Sequence, residues 1–174
     1  VTGVMGIAAS KIIPDLGLNF IFGGFLITAG LLILSSGKGK KQLSDAENEV
    51  KAITPVQGLL VGFAQGVGVF PGISRSGSTI TGALFCGIDR QTAGEFSFIL
   101  SIPAILGAFL LEAKDLGEVA SSVGILPLIV GCITAFISGL FALTWLMKLI
   151  RKGKLEYFAF YLVPLAIIGL IFIH

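Results

Sequence analysis

The chain has 174 residues, 55% of them hydrophobic, 13% charged and 24 of them glycine. A soluble domain carries about 25% charge, so the composition excludes a water-soluble globule and points to an all-α, multi-pass membrane protein, where glycine serves close helix packing. The net charge of +2 is small and scattered, which argues against nucleic acid as a partner.

In chain order, residues 1–10 read as the end of a span. The chain starts inside apolar sequence, with no initiator Met and no signal-peptide n-region, so it is expected to be the C-terminal part of something longer. Leu18 to Ser35 has the length of a membrane span. Residues 37–54 form a polar loop in which Ser44-Asp45-Ala46-Glu47 resembles a capping box, though a solvated linker is the plainer expectation. Residues 55–88 are apolar but broken by Pro71-Gly72-Ile73-Ser74-Arg75-Ser76-Gly77-Ser78-Thr79. Ala93 to Leu111 is a span interrupted by Pro103, Val123 to Met147 is a long span, and Tyr157 to Ile173 is the last. Gly58, Gly62 and Gly66 share one helix face, as do Gly131, Ala135 and Gly139, and both faces suit tight helix contact. Cys86 and Cys132 form no CxxC and are expected to be buried small hydrophobes.

Charge sets the topology. Lys38, Lys40, Lys41 and Lys51 share one loop, and Lys148, Arg151, Lys152 and Lys154 another. The positive-inside rule places both in the cytoplasm, with the loops around Lys11–Asp15 and Glu112–Glu118 outside. Two cytoplasmic loops must be joined by an even number of crossings, yet three apolar stretches lie between them. The stretch 55–88, split into halves too short to span, is therefore expected to be a re-entrant helical hairpin. A single crossing by 55–88 with a re-entrant 93–111 satisfies parity equally but places the polar segment less sensibly.

The tip of that hairpin carries the chemistry. An ionisable group within a membrane segment marks a functional site by default. Residues from Ser78 onward can form a helix, which puts Ser74–Ser78 at its N-terminus, where orphan N–H groups and the positive dipole end attract anions. Arg75 adds a fork shaped for phosphate, and Thr79 lies about one turn further on. The plain alternative is a kink whose arginine snorkels or pairs with Glu95. Gln65 precedes the tip and could reach the same cavity. Glu95 is read first as a helix-start carboxylate with Asp89 or Thr92 as N-cap, with a pairing to Arg75 or a proton role as further options. Ser97 and Ser101 are read as helix hydrogen-bonders, and His174, the only histidine, as neither ligand nor base. Gly66-x-Gly68 is not a nucleotide motif, and no metal-binding pattern is present.

From Gly66 to Ala108, with the core Phe-Pro-Gly-Ile-Ser-Arg-Ser-Gly-Ser-Thr and then Gly87-Ile-Asp-Arg-Gln-Thr-Ala-Gly-Glu-Phe-Ser, the chain resembles the undecaprenyl-diphosphate phosphatases, also called bacitracin-resistance proteins. The PGxSRSxxT pattern is specific, and the match runs more loosely along the rest of the chain. The resemblance implies two inverted repeats, each a re-entrant hairpin followed by three spans. Residues 1–54 would then end the first repeat and residues 55–174 form the second. It implies hydrolysis of a C55 isoprenyl diphosphate to the monophosphate carrier of cell-wall synthesis, in the plasma membrane. Ser74, Arg75 and Thr79 match the family's functional positions: Arg75 to hold and neutralise the diphosphate, Ser74 as phosphate ligand or nucleophile, Thr79 to bind or orient phosphate. Gly72, Ser76, Gly77 and Ser78 would complete the cradle, with Gln65 as a further substrate contact. The family's other motif, ExxxE followed by PxSSTGH, is absent from these residues. By resemblance that motif supplies the acid/base group and helps bind a divalent cation, Mg or Ca, so the cation's ligands are expected outside this chain. Membrane lipids and a second copy of the protein are the other partners expected. A membrane transporter or lipid flippase with a phosphate-binding hairpin is the alternative.

Overall fold

The computed structural model describes residues 1–10, 13, 17–38, 53–112 and 124–172. Among them are seven α-helices and no strand: α1 (Thr2–Ser10), α2 (Leu18–Lys38), α3 (Pro55–Val67), α4 (Arg75–Phe85), α5 (Arg90–Glu112), α6 (Ile125–Arg151) and α7 (Tyr157–Phe172). Three are long and apolar enough to cross a membrane: Leu18–Ser36, Arg90–Leu110 and Ile125–Arg151. Their surfaces carry large exposed apolar side chains such as Phe109, Phe136 and Phe141, which suits a lipid surround.

The broken stretch folds as a helical hairpin. α3 and α4 are 13 and 11 residues long, so at about 1.5 Å per residue neither covers a bilayer core of about 30 Å. Gln57 at the start of α3 donates from Nε2 to the Cys86 carbonyl at the end of α4 (3.0 Å), which brings both ends of the hairpin to one side. The arms touch through small residues. A Cβ on Gly82 would stand 2.8 Å from the Ala64 Cβ, and one on Gly68 2.6 Å from the Arg75 Cα. Thr54 starts α3 with a reciprocal capping box to Gln57 and Pro55 in the first turn. That Thr-Pro-Val-Gln signature is legible in sequence, whereas the box expected at Ser44–Glu47 lies outside the described residues.

The core sits where the hairpin ends meet the basic turn after α6. Val61, Ile80, Ala83, Leu84 and Ile88 pack there with Leu32, Ala93, Ile150 and Leu155. The hairpin thus opens on the side of Lys148, Arg151 and Lys154. α7 runs antiparallel beside α2, from Ser36 hydrogen-bonded to Glu156 at one end to Phe22 against Gly169 at the other.

Several details depart from the sequence expectation. α5 continues through Pro103 as one helix of 23 residues, as membrane helices can when neighbours satisfy the freed backbone. α7 spans 16 described residues and falls below the crossing length met by the other three. Gly62 and Gly66 do form a contact face, because Thr2 donates to the Gly62 carbonyl (3.0 Å) and Met5 covers Gly66. Gly131 and Gly139 face open space among the described residues, and Cys132 is exposed while Cys86 is half-buried. The exposure of Gly131, Cys132 and Gly139 follows from α6, which is exposed over most of its length and packs on the core only through Leu146, Met147 and Ile150 near its C-terminal end among the described residues; small apolar side chains face lipid as readily as protein.

Candidate functional site

The tip between α3 and α4 is built from backbone necessity. Gly72 takes φ 84, a left-handed conformation costing a non-glycine residue about 1–2 kcal/mol. Its α-carbon also faces the Ile21 carbonyl so closely that any Cβ would clash. Ile73 closes a turn onto the Phe70 carbonyl (3.1 Å). Ser74 is the N-cap of α4, its backbone extended and its Oγ accepting from the Gly77 amide (3.1 Å). Hydroxyl N-caps are favoured for this reason, and the helix begins at Arg75, three residues before the Ser78 onset read from the sequence.

Arg75 opens α4, at the positive end of the helix dipole. A cation there is unfavourable for the helix itself, and the first amides of α4 have no carbonyl a turn before them. The guanidinium is exposed and makes no ion pair among the described residues. Three positive features converge without an acid to answer them. Glu95, considered as a partner for Arg75, lies instead 3.9 Å from Arg151 and accepts from Gln91 (2.9 Å). Asp89 is the residue that caps α5, its carboxylate accepting from the Thr92 amide (2.9 Å).

Two cavities flank the tip. The first, about 420 Å³, is lined by Arg75, Ser76, Thr79 and Gln65, with Gly68 and Ile73 from the tip and Ser97, Phe98, Ser101 and Ile105 from α5. It unites Arg75, Thr79 and Gln65 as expected, and adds Ser97 and Ser101, which sequence spacing alone assigns to helix hydrogen bonding. Ser101 does donate to the Phe98 carbonyl (2.7 Å) while lining the cavity. The Thr79 hydroxyl donates to the Arg75 carbonyl, which fixes the first turn. Gln65 is 2% exposed; its Nε2 reaches the Leu100 carbonyl (3.4 Å) and its Oε1 has no partner among the described residues.

The second cavity, about 240 Å³, holds Ser74, Ser76 and Gly77 at a polar end with Thr28, and Leu32, Ile80, Leu146, Leu155, Phe158, Tyr161 and Leu162 beyond. Ser76 lines both cavities, while Ser74 faces the second rather than the first. Ser78, 4% exposed with Oγ unpartnered among the described residues, and Gly72 line neither. His174 lies outside the described residues.

The arrangement can bind an anion: a full positive charge, hydroxyls and helix-start amides in an apolar protein. The described residues do not fit a cation, since none of those lining either cavity is a carboxylate or imidazole and they hold no cluster of three or more His, Cys, Asp or Glu.

Residues 1–168 match a family model described as bacitracin resistance protein BacA. The chain is 48% identical over 167 residues to a protein of Treponema denticola named undecaprenyl-diphosphatase, covering 96% of this chain and 60% of that one. A protein of Halothermothrix orenii with the same name is 42% identical over 92% of this chain and 61% of its own length. An undecaprenyl-diphosphatase 2 of Halalkalibacterium halodurans is 39% identical over 96% and 60%. The chain thus spans about three fifths of the length of the curated relatives it matches.

Proposed function

Since the chain belongs to the bacitracin resistance protein BacA family, we propose that it is the phosphate-binding part of an integral-membrane phosphatase that hydrolyses undecaprenyl diphosphate to undecaprenyl phosphate. The observation that carries this reading is the cavity at the start of α4, where Arg75 stands without an acidic partner among the described residues, beside Ser76, Thr79 and Gln65. Water attacks the terminal phosphorus, the bridging P–O bond breaks, and inorganic phosphate leaves the isoprenyl monophosphate. Little covalent chemistry falls to the protein, so positioning and charge stabilisation dominate.

Arg75 holds the diphosphate bidentately and offsets the charge that develops on it. Ser76 and the helix-start amides bind phosphate oxygens, and Thr79 holds the first turn in shape. Gly72 and Gly77 let the backbone take the cradle form, and the Ser78 amide closes the first turn onto the Ser74 carbonyl (2.8 Å). Ser74 Oγ is engaged as acceptor for the Gly77 amide, and among the described residues no carboxylate or imidazole lines its cavity. This engagement suits Ser74 as a phosphate ligand, with water as the attacking group. The acid/base group and the ligands of a divalent cation, Mg or Ca, belong outside the described residues, in a first repeat that residues 1–54 complete and residues 55–174 mirror. The protein works in the plasma membrane, with a homodimer as its proposed assembly. A transporter or flippase is not favoured, since the relatives carry diphosphatase names.

The test is phosphate release from C55 isoprenyl diphosphate in detergent, by this chain carried at the full length of its relatives. Arg75→Ala is expected to lower kcat about 10²–10³-fold, the scale of losing a preorganised charge-stabilising donor. These 174 residues alone are expected to bind the diphosphate weakly and release no phosphate. An Arg75→Ala protein as fast as its parent would remove Arg75 from the chemistry and return the transporter reading to the front.

A further inference from the structure

The catalytic tip is not free-standing; it rests on α2. Ile21, Gly24 and Thr28 share one face of that helix and meet the tip in sequence. The Ile21 carbonyl lies against Gly72, a Cβ on Gly24 would stand 2.7 Å from the Gly72 carbonyl carbon, and Phe20 packs on Phe70 with ring centroids 6.2 Å apart. Thr28 is 2% exposed and spends its hydroxyl twice. Its Oγ1 accepts from the Ser74 amide (2.9 Å) and donates to the Gly72 carbonyl (3.3 Å). Both groups belong to the turn that starts α4, and neither is paired within the helix itself.

We infer that Thr28 is a positioning residue for the phosphate site. One hydroxyl bridges the two ends of the Gly72–Ser74 turn and so sets the direction in which Ser74, Arg75 and Ser76 leave it. A hydroxyl is the group required, because it must donate and accept at once. Valine has the same shape and does neither. The effect reaches substrate only through the tip, so it falls on kcat more than on KM: a cradle turned by about 1 Å still captures a charged headgroup but no longer matches the transition state. The consequence for turnover rests on the phosphatase reading above.

The experiment compares the parent, Thr28→Val and Thr28→Ser proteins at full length, with C55 isoprenyl diphosphate as substrate and thermal midpoints measured alongside. Thr28→Val is expected to keep its midpoint within a few degrees and lose about 10- to 100-fold in kcat with KM changed less than threefold; Thr28→Ser restores kcat to within threefold. A Thr28→Val protein with parental kcat overturns the inference. So does a loss in Thr28→Ser as large as in Thr28→Val, since that marks a need for the methyl group rather than the hydroxyl. If Thr28→Val fails to fold, Thr28→Cys replaces it, weakening both hydrogen bonds at similar volume, and parental kcat there overturns the inference equally. Amide hydrogen exchange at Ser74 decides the clamp without turnover: faster exchange in Thr28→Val but not in Thr28→Ser is expected, and equal exchange in all three refutes it. A parent that releases no phosphate refutes the phosphatase reading, while the exchange result still judges Thr28.

Discussion

At the scale of single residues, this protein places its most demanding backbone conformation where its charge is. Gly72 and Gly87 both have positive φ, 84 and 78, so alanine at either pays about 1–2 kcal/mol for the left-handed conformation. They differ in surroundings. A Cβ at Gly87 meets nothing within 4 Å, whereas one at Gly72 runs into the Ile21 carbonyl. Gly72→Ala is therefore expected to lower the thermal midpoint in detergent more than Gly87→Ala and, under the proposed function, to slow phosphate release by the full-length protein. Equal losses at the two sites would mean that the tip does not sit tightly on α2. Much of this scale is legible in sequence. The run from Pro71 to Thr79 announces a helix start, an arginine and a turn by its residue types alone. That Ser74 and Arg75 face different cavities is not legible, because adjacent residues at a helix start diverge by an angle that only the built turn reveals.

At the scale of elements, short-range chemistry sets where helices begin. Asp89 caps α5. Burial raises its carboxyl pKa, but hydrogen bonds from the Thr92 side chain and amide and from the Gln91 amide outweigh that, leaving it below its ordinary value of 3.8. A folded-state value below the unfolded one means the cap contributes fully above the ordinary value and loses its contribution as pH falls through the lower one. Asp89→Ala is expected to cost about 1 kcal/mol near neutral pH, as lost N-caps do, with the gap to the parent closing below about pH 4. Thermal midpoints of both proteins across that range measure it; a gap that persists into strong acid would show that the charged cap is not what holds α5. Helix starts of this kind, like the Thr54 box on α3, are written in windows of four residues. The exposure of α6 is not: Gly131, Ala135 and Gly139 have the spacing of a packing face, yet a face packs only if another helix reaches it.

At the scale of the whole molecule, a buried arginine ties three distant segments together at the hairpin's open side. Arg90, 6% exposed, donates from Nη2 to the Ser36 carbonyl (2.8 Å) in the last turn of α2. The Ser36 hydroxyl donates to Glu156 (2.6 Å) ahead of α7. Gly153, at φ 67, lies against the Arg90 guanidinium and leaves no room for a side chain. Losing a hydrogen bond made by a charged group costs about 1.5–3 kcal/mol. Arg90→Ala should fall toward that range in thermal or denaturant unfolding, and Glu156→Gln, which keeps an acceptor for Ser36, should cost less. An Arg90→Ala protein as stable as its parent would show that the latch is dispensable.

The sequence alone determined the membrane-spanning character, the hairpin at 55–88 and its polar tip, because composition, hydrophobic run length and helix-start chemistry act over a few to a few tens of residues. Tertiary structure alone decided which helix supports the tip and which polar groups meet. Thr28 and Ser74 are 46 residues apart, Arg90 and Ser36 are 54 apart, and Ser36 and Glu156 are 120 apart. Such pairings depend on the rotation and register of packed helices. A lone threonine in an apolar span carries no mark of the turn it will hold until α2 and the hairpin lie side by side.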